Sequence, residues 1–218
     1  MSEMTASPID GISVIIPCAG RVQLLENLLQ TVQRARARFP HPSETLLLDN
    51  SKPSDQESIR KLAAAYDATY YYGSHNISQK RNMGVELAAY DLILFLDSDC
   101  TVDENILSEH FNSYKAVNTG SCLGLLLFTG EDTTTWLSVE RTGVLSCFSL
   151  AAEQDETNWG PTANISFRRN AFQEIGGFDL AFSRPGGEDV DLGFRLTEAG
   201  WRMCCNPKAL AYHTKETW

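Results

Sequence analysis

The chain has 218 residues and a mass of 24.2 kDa, enough for one sizeable core and short for two domains. Hydrophobic residues make up 43% and charged residues 21%, which excludes a disordered or fibrous protein. With 18 Lys and Arg against 28 Asp and Glu, the net charge of −10 argues against a general binder of nucleic acid or anionic membrane, because phosphate affinity comes from excess basic residues. A small phosphorylated ligand stays open, since it needs only local donors or a bridging metal.

Residues 1–10 are polar and lack the apolar stretch of a signal peptide. The most apolar runs, 92–96 and 122–128, fall far short of the ~20 residues that cross a bilayer. The sequons at Asn76 and Asn164 therefore carry no expectation of glycosylation. Six cysteines (Cys18, Cys100, Cys122, Cys147, Cys204 and Cys205) are scattered without a C-x-x-C pair, so neither a zinc site nor a disulfide framework stands out. These features predict a cytoplasmic protein with no transmembrane segment.

In chain order, residues 12–17 form a β-branched run ended by Pro17, the form of a buried strand. Leu24, Leu25, Leu28, Leu29 and Val32 give the stretch 21–38 a helical apolar face. A strand at 45–49, a helix at 55–66, a strand at 69–72, a helix at 77–89 and a strand at 92–96 follow. Strands alternating with helices predict a parallel, right-handed α/β sheet over the first ~100 residues. Beyond it the pattern predicts a helix at 103–117, a strand at 123–128, a short helix from about Asn170 to Gly176-Gly177, and a helix at 188–199 stopped by Gly200. Residues 130–159 are polar, Thr-rich and without a clear period, and no internal repeat or linker divides the chain.

Ligands of open parallel sheets bind beyond the carboxyl ends of the strands. Those ends carry Pro17-Cys18-Ala19-Gly20-Arg21, Asp49-Asn50-Ser51 and Asp97-Ser98-Asp99. Asp97 and Asp99 suit a turn or cap, and equally suit a hard divalent cation bound through oxygen. Arg81, in the basic segment Gln79-Lys80-Arg81, reads as a solvated helix charge or as a phosphate or base contact. Glu188 and Asp189, after Gly186-Gly187, read as helix-terminal caps or as a hinge followed by a general base. His213 follows an apolar strand-like run at 209–212 and on general grounds reads as structural.

Taken together these segments resemble glycosyltransferase family 2, whose members have the GT-A fold. The matching blocks are ISVIIPCAGR (12–21), LLLDNS (46–51), NISQKRNMG (76–84), LILFLDSD (92–99), NISFRRNAFQEIGGFD (164–179), GGEDVDLGFRL (186–196) and the late His213, all in family order. The resemblance implies an N-terminal tail at 1–11 and a single GT-A catalytic domain at 12–218, with a nucleotide-binding half at 12–99 and an acceptor-side half at 100–218. The implied reaction is transfer of a sugar from a nucleotide-diphosphate sugar, a UDP-sugar first among them, to an acceptor, with inversion at the anomeric carbon.

The resemblance also assigns roles. Asp49 matches the strand-end acid that reads the nucleobase, and Arg81 the basic residue on the nucleotide side, with Pro17, Ala19 and Arg21 beside them. Asp97 and Asp99 match the D-x-D pair, Asp97 nearer the ribose and Asp99 on the metal, with Asp97 as a further ligand. Asp189 matches the catalytic base and Glu188 its acceptor-binding neighbour, in a GGED segment similar to that of galactosyltransferase-type members. His213 matches the histidine that completes the metal shell of that group, reversing its structural reading. A shell of carboxylate and imidazole suits Mn²⁺ better than Mg²⁺.

Two departures stand out. Family members usually carry an aromatic residue soon after the first-strand proline, and Cys18-Ala19-Gly20 has none. The sequence also stops five residues after His213, which turns acceptor recognition toward 130–159 or a partner. Two rival readings exist. A sugar-phosphate nucleotidyltransferase needs a glycine-rich loop and a lysine after the first strand, where Val22-Gln23-Leu24-Leu25 enters a helix directly. A non-catalytic nucleotide-sugar binding module would be marked by loss of Asp99 or Asp189, and both are present.

Overall fold

The structure is a computed structural model that describes residues 9–129, 156–182 and 186–214. Its elements are β1 (Ile12–Cys18), α1 (Val22–Arg38), β2 (Ser43–Asp49), α2 (Pro53–Ala65), β3 (Thr69–Tyr72), α3 (Ile77–Leu87), β4 (Leu92–Leu96), β5 (Cys100–Val102), α4 (Ile106–Asn112), β6 (Thr119–Thr129), β7 (Asn164–Arg168), α5 (Arg169–Glu174), α6 (Glu188–Glu198) and β8 (Arg202–Thr214). The strands form one sheet in the order β3-β2-β1-β4-β7-β6-β8-β5. β3, β2, β1 and β4 run parallel, as the alternating pattern predicts. β7 then pairs antiparallel with both β4 and β6, β6 runs parallel to β8, and β5 closes antiparallel on β8.

Strand alternation divides the core between two faces. Ile12, Val14 and Ile16 of β1 and Leu92, Leu94 and Leu96 of β4 pack with Leu25, Leu28 and Leu29 of α1 and Ile106 of α4. Ile15 of β1 and Ile93 and Phe95 of β4 point the other way, onto Val85 of α3, Phe172 of α5 and Leu192 and Leu196 of α6. Each fully buried aliphatic or aromatic side chain contributes about 1.5–3 kcal/mol. Helix α3 lies close on the sheet because Gly84 faces it: a Cβ there would come within 2.6 Å of Ile15 Cγ2.

Several elements differ from the sequence expectation, among them the unexpected β5 and a β8 that runs from 202 to 214 rather than 209 to 212. The helix expected at 103–117 is the shorter α4, which ends at Asn112 and is capped by Ser113, whose hydroxyl donates to the Glu109 carbonyl. β6 begins four residues before the expected 123, because Thr119 to Cys122 pair with β7 and β8. β7 is not among the expected strands: Ile165 and Phe167 alternate with Asn164 and Ser166, but its polar residues are buried as well. They are satisfied by His110, whose Nδ1 and Nε2 lie 2.8 Å from Ser166 Oγ and 2.9 Å from Asn164 Oδ1. Burial lowers the His110 pKa to about 4, so the imidazole is neutral in this network.

The described cysteines are all buried, and no described helix is long and apolar enough to cross a membrane. Most of the stretch 130–159 whose period was unclear lies outside the described residues.

Candidate active site

The first two strand ends are tied together by Ser51. Gly20 N donates to Ser51 Oγ at 2.6 Å, while Ser51 N donates to Asp49 Oδ1 at 2.8 Å and its hydroxyl also bonds that oxygen. Tyr70 OH donates to Asp49 Oδ2 at 2.8 Å, so both oxygens of this fully buried carboxylate have protein partners. Burial first, and then the Asp49 charge, pushes the Cys18 thiol up to about 12. Lys80 Nζ reaches the same strand ends, donating to the Cys18 carbonyl at 3.1 Å and to Asn50 Oδ1. Pro17 is buried in β1, Ala19 is exposed, and Arg21, in the left-handed region at φ 49°, opens α1.

β4 ends at Leu96, and the turn that follows is closed by Cys100 N donating to the Asp97 carbonyl at 3.1 Å. β5 leaves this turn and pairs with β8 so that Cys100 faces His213. That register sets His213 Nε2 3.4 Å from Asp99 Oδ1, and Arg21 Nη1 pairs with Asp99 Oδ2. Asp99, Cys100 and His213 each offer a ligand atom within 4.8 Å of the others. Burial holds the Cys100 thiol well above its usual range, so the ready donors are a carboxylate oxygen and an imidazole nitrogen. This O/N pair fits a divalent cation of the Mn²⁺ or Zn²⁺ kind.

The three acids at the start of α6 have separate fates. Gly186 and Gly187, at φ 126° and 90°, turn the chain into the helix in conformations that L side chains rarely adopt. Glu188 points inward, accepting from Gly186 N at 2.6 Å and from Arg81 Nη1 at 2.9 Å, with its side chain only 4% exposed. Asp191 pairs along the helix with Arg195. Asp189 is 20% exposed; its Oδ2 accepts from Thr162 N at 3.2 Å and Thr162 Oγ1 at 3.4 Å, while Oδ1 is buried without a hydrogen-bond partner. Burial raises the Asp189 carboxyl to about 6, against the opposing pull of Arg81 and with a further push from Glu188. A carboxylate with that pKa is poised to exchange a proton near neutral pH.

Arg81 joins the two acidic groups. Its Nη1 lies 3.6 Å from Asp189 Oδ1, its Nη2 lies 3.9 Å from Asp97 Oδ1, and its guanidinium sits 5.2 Å from the centre of the Phe178 ring. Asp97 is the most open of these acids, with 37% of its side chain exposed. Arg21, Arg81, Asp97, Asp99, Glu188, Asp189 and His213 thus meet at the carboxyl ends of the strands. Asp49 lies deeper on the β2 side, linked to them through Ser51 and Gly20. Sequence reasoning missed Thr162 and Tyr70, neither of which carries a local signal. It had the signal for Ser51, since Asp-x-Ser favours a side-chain turn.

This sheet, its helical layers and the acids at its carboxyl edge define a GT-A fold. Similar solved structures are a mannosyltransferase, PcManGT from Pyrobaculum calidifontis in complex with GDP-Man and Mn²⁺, and GalNAc-T7 with UDP, GalNAc and Mn²⁺. The first is 15% identical with a TM-score of 0.70, over 95% of this chain and 57% of that one. The second is 16% identical with a TM-score of 0.73, over 95% of this chain and 44% of that one. Residues 8–218 match the family described as Glycosyltransferase like family 2, and the chain belongs to that family.

Relatives include the O-antigen biosynthesis protein RfbC of Myxococcus xanthus, 27% identical over 93% of this chain and 17% of its own length. The validoxylamine A glucosyltransferase of Streptomyces hygroscopicus subsp. jinggangensis is 26% identical over 88% of this chain and 52% of its own. The pre-mycofactocin glycosyltransferase of Mycobacterium tuberculosis is 28% identical over 94% of this chain and 43% of its own. The chain therefore spans about half or less of the length of these relatives.

Proposed function

We propose that this protein is an inverting, metal-dependent glycosyltransferase that moves a hexose from a nucleotide-diphosphate sugar to an acceptor hydroxyl. The observation that carries this reading is the convergence of Asp99, His213 and Asp189 on one cleft, with Arg81 bridging Asp97 and Asp189. Family membership supports it, and so do the GDP-Man, UDP and Mn²⁺ of the similar structures.

In this reading Asp189 is the general base. Its carboxylate takes the proton of the acceptor hydroxyl as that oxygen attacks the anomeric carbon, on the face opposite the leaving diphosphate. Thr162 holds one Asp189 oxygen and leaves the other, buried without a hydrogen bond, beside Arg81. Glu188, with both oxygens engaged, anchors the helix start; its assigned contact with the acceptor would run through the same edge. Asp99 and His213, with Asp97 beside them, would hold a divalent cation, Mn²⁺ before Mg²⁺. Such an ion supplies Lewis-acid stabilisation of the departing nucleotide diphosphate, which the acidic chain lacks.

Pro17, Ala19, Arg21 and Asp49 border the nucleotide, with a UDP-sugar as the favoured donor and the GGED segment matching a galactosyltransferase-type acceptor edge. The scattered, buried cysteines suit a reducing cytoplasm. Incubation with UDP- and GDP-hexoses, Mn²⁺ and a panel of sugar acceptors tests the reading, with product configuration read by NMR. An inverted anomeric centre is expected; a retained one overturns the mechanism.

A further inference from the structure

We propose that Arg81 is a positioning residue for the Glu188–Asp189 pair and does not bind the nucleotide. This rests on the glycosyl-transfer reading above and deepens it. Only 6% of the Arg81 side chain is exposed, and its fork is directed at Glu188 at 2.9 Å, Asp189 at 3.6 Å and Asp97 at 3.9 Å. A buried guanidinium is tolerated when its charge is paired and its donors are satisfied. Here the charge is paired most closely with Glu188 and Asp189 and more loosely with Asp97, Phe178 lies beneath it, and Nε is buried without a hydrogen-bond partner.

The rest of α3 grips the same segment. Asn76, the α3 cap, donates through Nδ2 to the Leu180 carbonyl at 3.2 Å, and Ser78 Oγ donates to the Phe182 carbonyl at 3.1 Å. Asn82 donates to the Phe178 carbonyl and accepts from Phe178 N, both at 2.9 Å. Residues 76–82 thus brace residues 178–182. Successive helical residues point ~100° apart, and Lys80 turns instead to Cys18 and Asn50 at the β1 and β2 ends. Two adjacent basic residues serve opposite sides of the cleft. Arg81 offsets the repulsion between neighbouring carboxylates at 188 and 189, locks Glu188 in place and aims Asp189.

Arg81→Gln and Arg81→Lys test this in the full chain. Calorimetry reads UDP and GDP affinity with Mn²⁺, and nucleoside diphosphate release reads kcat and donor KM. Arg81→Gln is expected to keep nucleotide affinity within about twofold and to lower kcat by ~10²-fold, the scale of a misplaced catalytic group. Arg81→Lys should recover part of that kcat. In an Asp189→Asn background, Arg81→Gln should cost nothing more, since the pair acts as a unit. Should Arg81→Gln fail to fold, Glu188→Gln removes the ion pair from the other side and is expected to lower kcat without changing nucleotide affinity. A loss of nucleotide affinity as large as the loss of kcat, or additive losses in the double variant, overturns the proposal and leaves the transfer reading intact. A wild-type protein that binds nucleotide but releases none from any sugar donor overturns both.

Discussion

His213 Nε2 lies 3.4 Å from Asp99 Oδ1, although the two residues come from opposite halves of the chain. The antiparallel register of β5 on β8 makes the contact, setting Cys100 opposite His213 immediately after the Asp97-Ser98-Asp99 turn. Asp99→Ala is expected to abolish the gain in nucleotide affinity that Mn²⁺ gives, and His213→Ala to weaken it. Calorimetry with the ion and with a chelator measures both, and equal binding in the two conditions contradicts the pairing as a metal site.

Asp189 combines a functional gain with a cost in stability. Its folded pKa of about 6 lies above the ~3.9 of an unfolded aspartate. Ionisation therefore costs stability as pH rises from ~4 through ~6, and the cost is absent below that window. Asp189→Asn should lower turnover ~10²–10⁴-fold while stabilising the fold above pH ~6 by on the order of 2 kcal/mol. Urea unfolding at pH 7.5 and at pH 4 checks the sign: the variant's advantage should be present at the first and gone at the second. Wild-type turnover should fall as pH drops through about 6.

His110 acts in the opposite direction. Its folded pKa of about 4 lies below the ~6.5 of an unfolded histidine. The stability it contributes is fully present above pH ~6.5 and is lost as pH falls toward ~4, by on the order of 3 kcal/mol. His110→Gln is expected to flatten that part of the acid-unfolding profile. A variant profile as steep as wild type would assign the acid sensitivity elsewhere.

Gly84 sets the distance between α3 and the sheet. A Cβ there meets Ile15 Cγ2 at 2.6 Å, so Gly84→Ala should destabilise by ~1–3 kcal/mol, the usual cost of overpacking. A paired Gly84→Ala/Ile15→Ala variant removes the crowding Cγ2 methyl, so the two losses should be less than additive in thermal unfolding. An unchanged melting temperature in Gly84→Ala would contradict this packing.

The first half of the fold was legible because its strands are continuous apolar runs and its helices carry one apolar face. β7 was not, although Ile165 and Phe167 alternate with Asn164 and Ser166, because it is only five residues long and its polar face is buried too, satisfied by the distant His110. The short β5 likewise exists through pairing with β8. In the candidate site, the strand-end acids and the Gly186-Gly187 entry to α6 were visible in sequence. Their partners were not: Thr162 on Asp189 and Tyr70 on Asp49 are set by tertiary packing alone. The buried state of Arg81 and the division of Glu188 from Asp189 also needed the folded helices, since adjacent acids at a helix start look alike in sequence.

The most direct test of the central claim is nucleoside diphosphate release from a panel of UDP- and GDP-sugars, with wild type and Asp189→Asn compared in Mn²⁺ and in chelator. Release from at least one donor is expected in Mn²⁺, near background in chelator and ~10²-fold or more lower in Asp189→Asn. Release that is equal in chelator, or undiminished in Asp189→Asn, would contradict a metal-assisted transfer in which Asp189 is the base.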